Sequence, residues 1–270
     1  TTLFRSPGAR DGRGAVYAYS DEHVLLWSLA GPCAGARLGS SLAWTEDLDG
    51  DGRQEGSRFA FIWDQTERGA VGRRGRVPYG TEYAREDLDF DLLLGEGFDS
   101  GRVRVRDDNG HGTHVAGIQG GDGSASDAGY VGMAPRATLG FVKTTFSSSD
   151  VIDGVSYLFD RGRELGLPTV VNLSLGGHFG PHDGTSGFER ALDAMVGPGR
   201  IVVNSAGNEG NNRIHVSDTL NFNRYRVDCF PAGEVAALSF WYDGDARFEI
   251  ALDSPGFGEA VQTFRAATGQ

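Results

Sequence analysis

The groups with most chemical reach in this 270-residue chain lie in three glycine-framed runs: DDNGHGTHVAGIQGG at 107–121, Asn172 to Gly177, and Asn204 to Gly210. Gly110 and Gly112 leave the backbone around His111 open, and Thr113 to Ile118 continues as a short helix of small residues that Gly120 and Gly121 close. An imidazole titrates near neutral pH, so one held at a helix mouth beside a second side chain can take and return a proton. His111 is therefore the candidate base, and His114 is expected as a hydrogen-bonded core residue inside the helix. The rival use is a metal shared by the two histidines with Asp107 or Asp108. Their spacing of three argues against it, because the helical zinc pair is spaced by four with a Glu between. Asn208, in the turn Ser205 to Gly210, carries an amide that can donate to a developing oxyanion; an ordinary turn asparagine is the plain alternative.

Such groups need rigid elements behind them. Arg58 to Trp63 (RFAFIW) reads as a strand, Arg136 to Thr145 as a second, Thr169 to Leu175 as a buried third and Arg200 to Ala206 as a fourth. Between them, Ser149 to Leu165 places Val151, Ile152, Val155, Leu158 and Phe159 at helical spacing, and Ser186 to Val196 does the same with Phe188, Leu192 and Met195. Strands alternating with helices, the strands being continuous apolar runs, define an α/β class with a mainly parallel sheet and helices on both faces. In that class function gathers at the carboxyl ends of the strands. Residues 64–106 are polar, Gly-rich and Arg-clustered, and read as a long surface excursion. After Asn211 the helical signals stop, and Arg226 to Phe230, Val235 to Tyr242, Arg247 to Leu252 and Val261 to Arg265 read as short strands opening an antiparallel sandwich. A boundary is expected near residue 213.

Composition narrows the partners. A net charge of -12 argues against nucleic acid, and 39% apolar residues suffice for a core. Gly is common, at 42 residues, as many tight loops require, and no stretch is long and apolar enough to span a membrane. Cys33 and Cys229 are too few for a disulfide framework and leave the compartment open. Asp47, Asp49, Asp51 and Glu55 alternate like the opening of a calcium loop, but Arg58 stands where an EF-hand needs its bidentate Glu. A solvated acidic turn is the preferred reading, with structural calcium there as the alternative.

In this order the runs NGHGTHVAGI (109–118), YVGMAPRATL (130–139), VVNLSLGG (170–177) and SAGNEG (205–210) resemble a subtilisin-like serine peptidase, a subtilase. The resemblance implies a Ser-His-Asp mechanism without a required cofactor: His111 as general base and then acid, Asn208 as oxyanion donor, and an acyl-enzyme on the way to endopeptidic hydrolysis. It further implies that Ser174, Leu175 and Gly176 pair with an extended polypeptide substrate, with Ala206 and Gly207 opposite. Trp63 to Thr66, the loop His178 to Ser186 and the β-rich stretch after Asn208 are similar to bacterial subtilases that insert a jelly-roll-like domain before the nucleophile.

Two parts of the family pattern are missing. No apolar strand ending in Asp, Ser or Thr, Gly precedes His111, and no Gly-Thr-Ser-Met-Ala follows Asn208; the Gly184 to Ser186 run lies before it. Reading one base later from Gly35 permits Val-Leu-Asp-Ser-Gly, so a frameshift between Gly35 and about Trp44 is the hypothesis for the lost aspartate. Resequencing the DNA tests it, and an unbroken printed frame would sink it. Thr1 to Ser6 reads as the translation of a sequencing adapter. The expected organisation is a poorly ordered, adapter-derived and out-of-frame segment at 1–43, an incomplete catalytic core at 44–212 and a truncated β-rich insertion at 213–270, inactive as printed. The alternative is a pseudopeptidase that binds or scaffolds with a subtilase fold. A calcium-dependent binding module is a third reading that leaves the four runs unexplained.

Overall fold

The computed structural model describes residues 2–5, 16–19, 25–30, 45–46, 56–67, 77–93, 102–107, 109–123, 130–217, 228, 239–241, 249–250 and 264–265. The acidic loop with Asp47, Asp49, Asp51 and Glu55, both cysteines, Asp108 and the run 31–44 lie outside the described residues.

The strands are β1 (Thr2–Arg5), β2 (Val16–Tyr19), β3 (Leu25–Ala30), β4 (Thr45–Glu46), β5 (Gly56–Ser57), β6 (Phe59–Asp64), β7 (Thr81–Ala84), β8 (Leu139–Lys143), β9 (Thr169–Leu173), β10 (Arg200–Asn204), β11 (Glu249–Ile250) and β12 (Phe264–Arg265). The helices are α1 (Arg85–Leu93), α2 (His111–Gly120), α3 (Ser148–Glu164) and α4 (Gly187–Met195). Six strands form one sheet in the order β10-β9-β3-β8-β6-β7, parallel except for the antiparallel edge β7. The pairs β1-β2, β4-β5 and β11-β12 are separate antiparallel ribbons. The chain divides into two compact units, 1–177 with 187–214, and 178–186 with 215–270.

Alternation along the strands sends apolar side chains to two cores. On one face Phe61, Trp63, Val142, Val171 and Leu173 meet Val151, Val155, Leu158 and Phe159 of α3, with Phe188, Leu192 and Met195 of α4 packed alongside. On the other, Phe59, Ile62, Leu139 and Phe141 meet Tyr83, Val103, Val105 and Ala116 of α2. Helix α3 forms because its apolar positions share one face and its ends are capped. Ser147 accepts from the Asp150 amide, Arg161 and Arg163 occupy the last turn, and Gly166 (φ 70) closes the helix as its amide bonds the Arg163 carbonyl.

Two expectations fail. The segment 1–43 is expected to be poorly ordered, yet the backbone of Leu25–Ala30 forms β3, an inner strand paired to β8 on one side and β9 on the other. Nor is 64–106 a surface excursion throughout. It supplies β7 and α1, and Val103 and Val105 are buried. The misreading has a physical cause: α1 (REDLDFDLL) anchors itself through carboxylates as well as apolar groups. Asp89 accepts the Ser57 amide (2.6 Å), Asp87 the Ala84 amide (3.2 Å), and Asp91 the Arg102 and Val103 amides (both 2.8 Å). A search for apolar periodicity passes over such a helix.

Candidate active site

The parallel strands β6, β8, β3, β9 and β10 end at Asp64, Lys143, Ala30, Leu173 and Asn204, and these ends share one edge of the sheet. Helix α2 runs against the strand direction. The Gly120 carbonyl at its far end accepts from the guanidinium of Arg58, just before β6, and a Cβ built on Gly120 would lie 2.8 Å from Leu139, the first residue of β8. At its near end the Lys143 ammonium, last in β8, donates to the Arg106 carbonyl (2.8 Å), four residues before the Gly110 cap. His111, first in α2, therefore stands at the carboxyl edge of the sheet.

A buried carboxylate fixes that helix start. Asp107 Oδ1 accepts from the amides of Asn109 (3.2 Å) and Gly110 (2.9 Å), and Oδ2 from the amide and hydroxyl of Thr113 (both 2.7 Å). Gly110 is left-handed (φ 86), a conformation in which the missing Cβ avoids a clash. Four donors from one seven-residue segment converge on one side chain, so the turn has little freedom and the imidazole is presented outward. His111 is exposed, and among the described residues nothing hydrogen-bonds its ring. His114 is exposed as well, not the core residue expected, because the buried stripe of α2 runs through Gly112, Ala116 and Gly120.

The other two runs leave the same edge side by side. Asn204 pairs with Leu173 at the end of the β9-β10 ladder, and the Ser205 amide continues it to the Leu173 carbonyl (2.9 Å). The Ser205 hydroxyl then donates to the Leu175 carbonyl (2.9 Å), and the Asn172 amide donates to the Ser174 hydroxyl (2.7 Å). Ser174 and Leu175 are half-buried, whereas Gly176, Ala206, Gly207 and Asn208 are exposed. Gly207 turns left-handed (φ 83), which lets Glu209 take the Asn208 amide (2.8 Å); a Cβ on Gly207 would meet that carboxylate at 2.9 Å. Among the described residues the Asn208 side-chain amide has no partner.

Beyond β6 lies a buried polar group, of which the sequence pattern marks only the run Trp63 to Thr66. Gln65, fully buried, donates to the Asp150 carbonyl (2.9 Å) and the Tyr79 hydroxyl (3.3 Å), and that hydroxyl donates to Asp153 (2.9 Å) and Asp150 (3.2 Å). Burial, then the Asp153 carboxylate, hold the Tyr79 phenol well above its usual range. Asp64 accepts twice from Thr66, yet burial dominates and raises its pKa. No group of three or more His, Cys, Asp or Glu side chains among the described residues is arranged to hold a metal.

A doubly covered parallel sheet with a histidine, a glycine strip and an asparagine turn on its carboxyl edge defines an α/β protein with an edge site. Residues 95–227 match the Subtilase family. A thermophilic serine proteinase of Bacillus sp. (strain AK1) is 32% identical over 62% of this chain and 42% of its own length. Subtilisin DY of Bacillus licheniformis is 34% identical over 48% and 45%. The solved structure of the Clostridium perfringens CspB protease superposes with a TM-score of 0.54 at 25% identity, covering 69% of this chain and 36% of that one. Over residues 95–227 the chain is thus similar to the subtilase family of serine peptidases. It spans about half the length of the curated relatives it matches, at 42%, 45% and 51% for three of them.

Proposed function

We propose that this chain carries the core of a serine endopeptidase that cleaves polypeptides held in extended conformation along Ser174, Leu175 and Gly176. In this reading His111 takes the proton of a serine nucleophile and returns it to the leaving amine. Asn208 donates to the oxyanion of the tetrahedral intermediate, and Ala206 and Gly207 flank the substrate from the neighbouring strand exit. In this enzyme class, loss of one such donor removes on the order of 3 kcal/mol of transition-state stabilisation. The supporting observation is that the histidine, the strip and an asparagine amide with no partner among the described residues all leave the sheet at its carboxyl edge.

The printed 270 residues carry the base without a recognisable nucleophile, so negligible peptide hydrolysis and no labelling by a fluorophosphonate are expected of them. Robust labelling would contradict this. In a longer product of the same gene with a serine nucleophile, His111→Ala should reduce kcat to the residual level left by binding alone, and Asn208→Ala should lower it roughly 100-fold to 1000-fold. Retention of activity by His111→Ala would remove the assignment.

A further inference from the structure

The contact between Ser205 and Leu175 has no necessary place in the chemistry above. In a parallel pair the bonds from one strand recur every second residue, so after the Ser205 amide has reached the Leu173 carbonyl, the next donor to Leu175 would be the Gly207 amide. Gly207 instead turns left-handed to present Asn208, and its amide leaves the ladder. The Ser205 hydroxyl takes over, donating to Leu175 at 2.9 Å. Both Leu173 and Leu175 therefore direct their carbonyls toward the β10 side, and the alternation of an extended segment directs those of Ser174 and Gly176 the other way. Gly176 passes close to the same hydroxyl: a Cβ built on it would lie 3.9 Å from the Ser205 oxygen.

The bond is on the surface, so stability alone gives little reason for it. Ser205 is exposed, and water can satisfy the Leu175 carbonyl if the hydroxyl is removed. What water cannot do is fix the separation of two loops. The hydroxyl joins the strip at 174–176 to the turn carrying Asn208 at the point where the backbone ladder has ended. We propose that Ser205 is a positioning residue that sets the spacing and register between the substrate strip and the oxyanion donor. It leaves the Ser174 and Gly176 backbone free to pair with an extended peptide. The assignment rests on the peptidase reading above.

The test uses the full 270-residue chain, expected to bind without turnover, and the probe acetyl-Ala-Ala-Ala-Phe-amide. Its binding is followed by NMR at the Gly176 backbone amide and the Asn208 side-chain amide. The wild type should show saturable shifts at both. Ser205→Ala should weaken the dissociation constant about fivefold or more and uncouple the Asn208 response from that of Gly176, and Ser205→Thr, which keeps the hydroxyl, should restore both. Melting temperatures of the three should coincide. Equal binding by Ser205→Ala, failure of Ser205→Thr to restore it, or a weakened variant with a clearly lowered melting temperature would each overturn the positioning role alone. Absence of any wild-type response would overturn the peptidase reading, and this assignment with it.

Discussion

Two buried carboxylates near the carboxyl edge differ in how fully they are satisfied, and that difference sets what each can do. Asp107 gathers four donors and freezes the turn before His111. Asp64, 3% exposed at the end of β6, accepts only from the Thr66 amide and hydroxyl, and desolvation outweighs these bonds and the nearby Lys143 charge. Its folded pKa lies above the ordinary aspartate value. For a raised carboxyl the folded state binds the proton more tightly than the unfolded chain. The resulting stability is present in full below the unfolded value and disappears as pH rises through the folded one. Asp64→Asn keeps an acceptor for Thr66 without the buried charge. Its melting temperature relative to wild type should thus increase as pH is raised from the ordinary aspartate value toward neutrality. A difference that stays flat or falls over that range would show that the two Thr66 bonds win over burial.

Elements announce themselves in a sequence when a periodic apolar face drives them, and fall silent when backbone sterics or polar anchors do. Helix α3 and strands β8, β9 and β10 were legible for the first reason, within a few residues at each end. So was the glycine frame of α2, and with it His111. The α1 helix, held by Asp87, Asp89 and Asp91, was not legible, and neither was the Asp107 clamp, whose four donors come from backbone folding that no spacing rule encodes. Nor was β3, because a short run such as LLWSLA carries no sign of the partners it will pair with. The packing of α2 can be tested directly. A Cβ on Gly132 would fall 2.5 Å from the Gly121 nitrogen and 2.8 Å from the Gly117 oxygen, both backbone, whereas one on Gly120 meets first the movable tip of Leu139 at 2.8 Å. Helix propensity also favours Ala at position 120 by roughly 0.5–1 kcal/mol. Gly132→Ala should therefore cost about 1–3 kcal/mol or more, and Gly120→Ala distinctly less. Urea unfolding midpoints in the reverse order would mean that the 130–134 segment is not locked against the end of α2.

At the scale of the whole molecule the two faces of the sheet are covered unequally. Helices α3 and α4 span one face as far as Val202, while on the other the packing around α2 stops short of β9 and β10. There Ile201 is 40% and Val203 41% exposed, on a strand whose one partner strand among the described residues is β9. A strand with an open hydrogen-bonding edge and apolar groups on one face is a template for another chain. The prediction is that the 270-residue chain self-associates as its concentration rises, visible as a growing mean mass in light scattering. Val203→Lys should suppress it, because a lysine on an edge strand cannot be buried against a partner. The substitution also separates this cause from simple charge repulsion. It brings the net charge of -12 closer to zero, which by itself would favour association, so a fall in mass on adding the lysine can only come from the strand. If Val203→Lys associates as strongly as the wild type, β10 is not the adhesive edge.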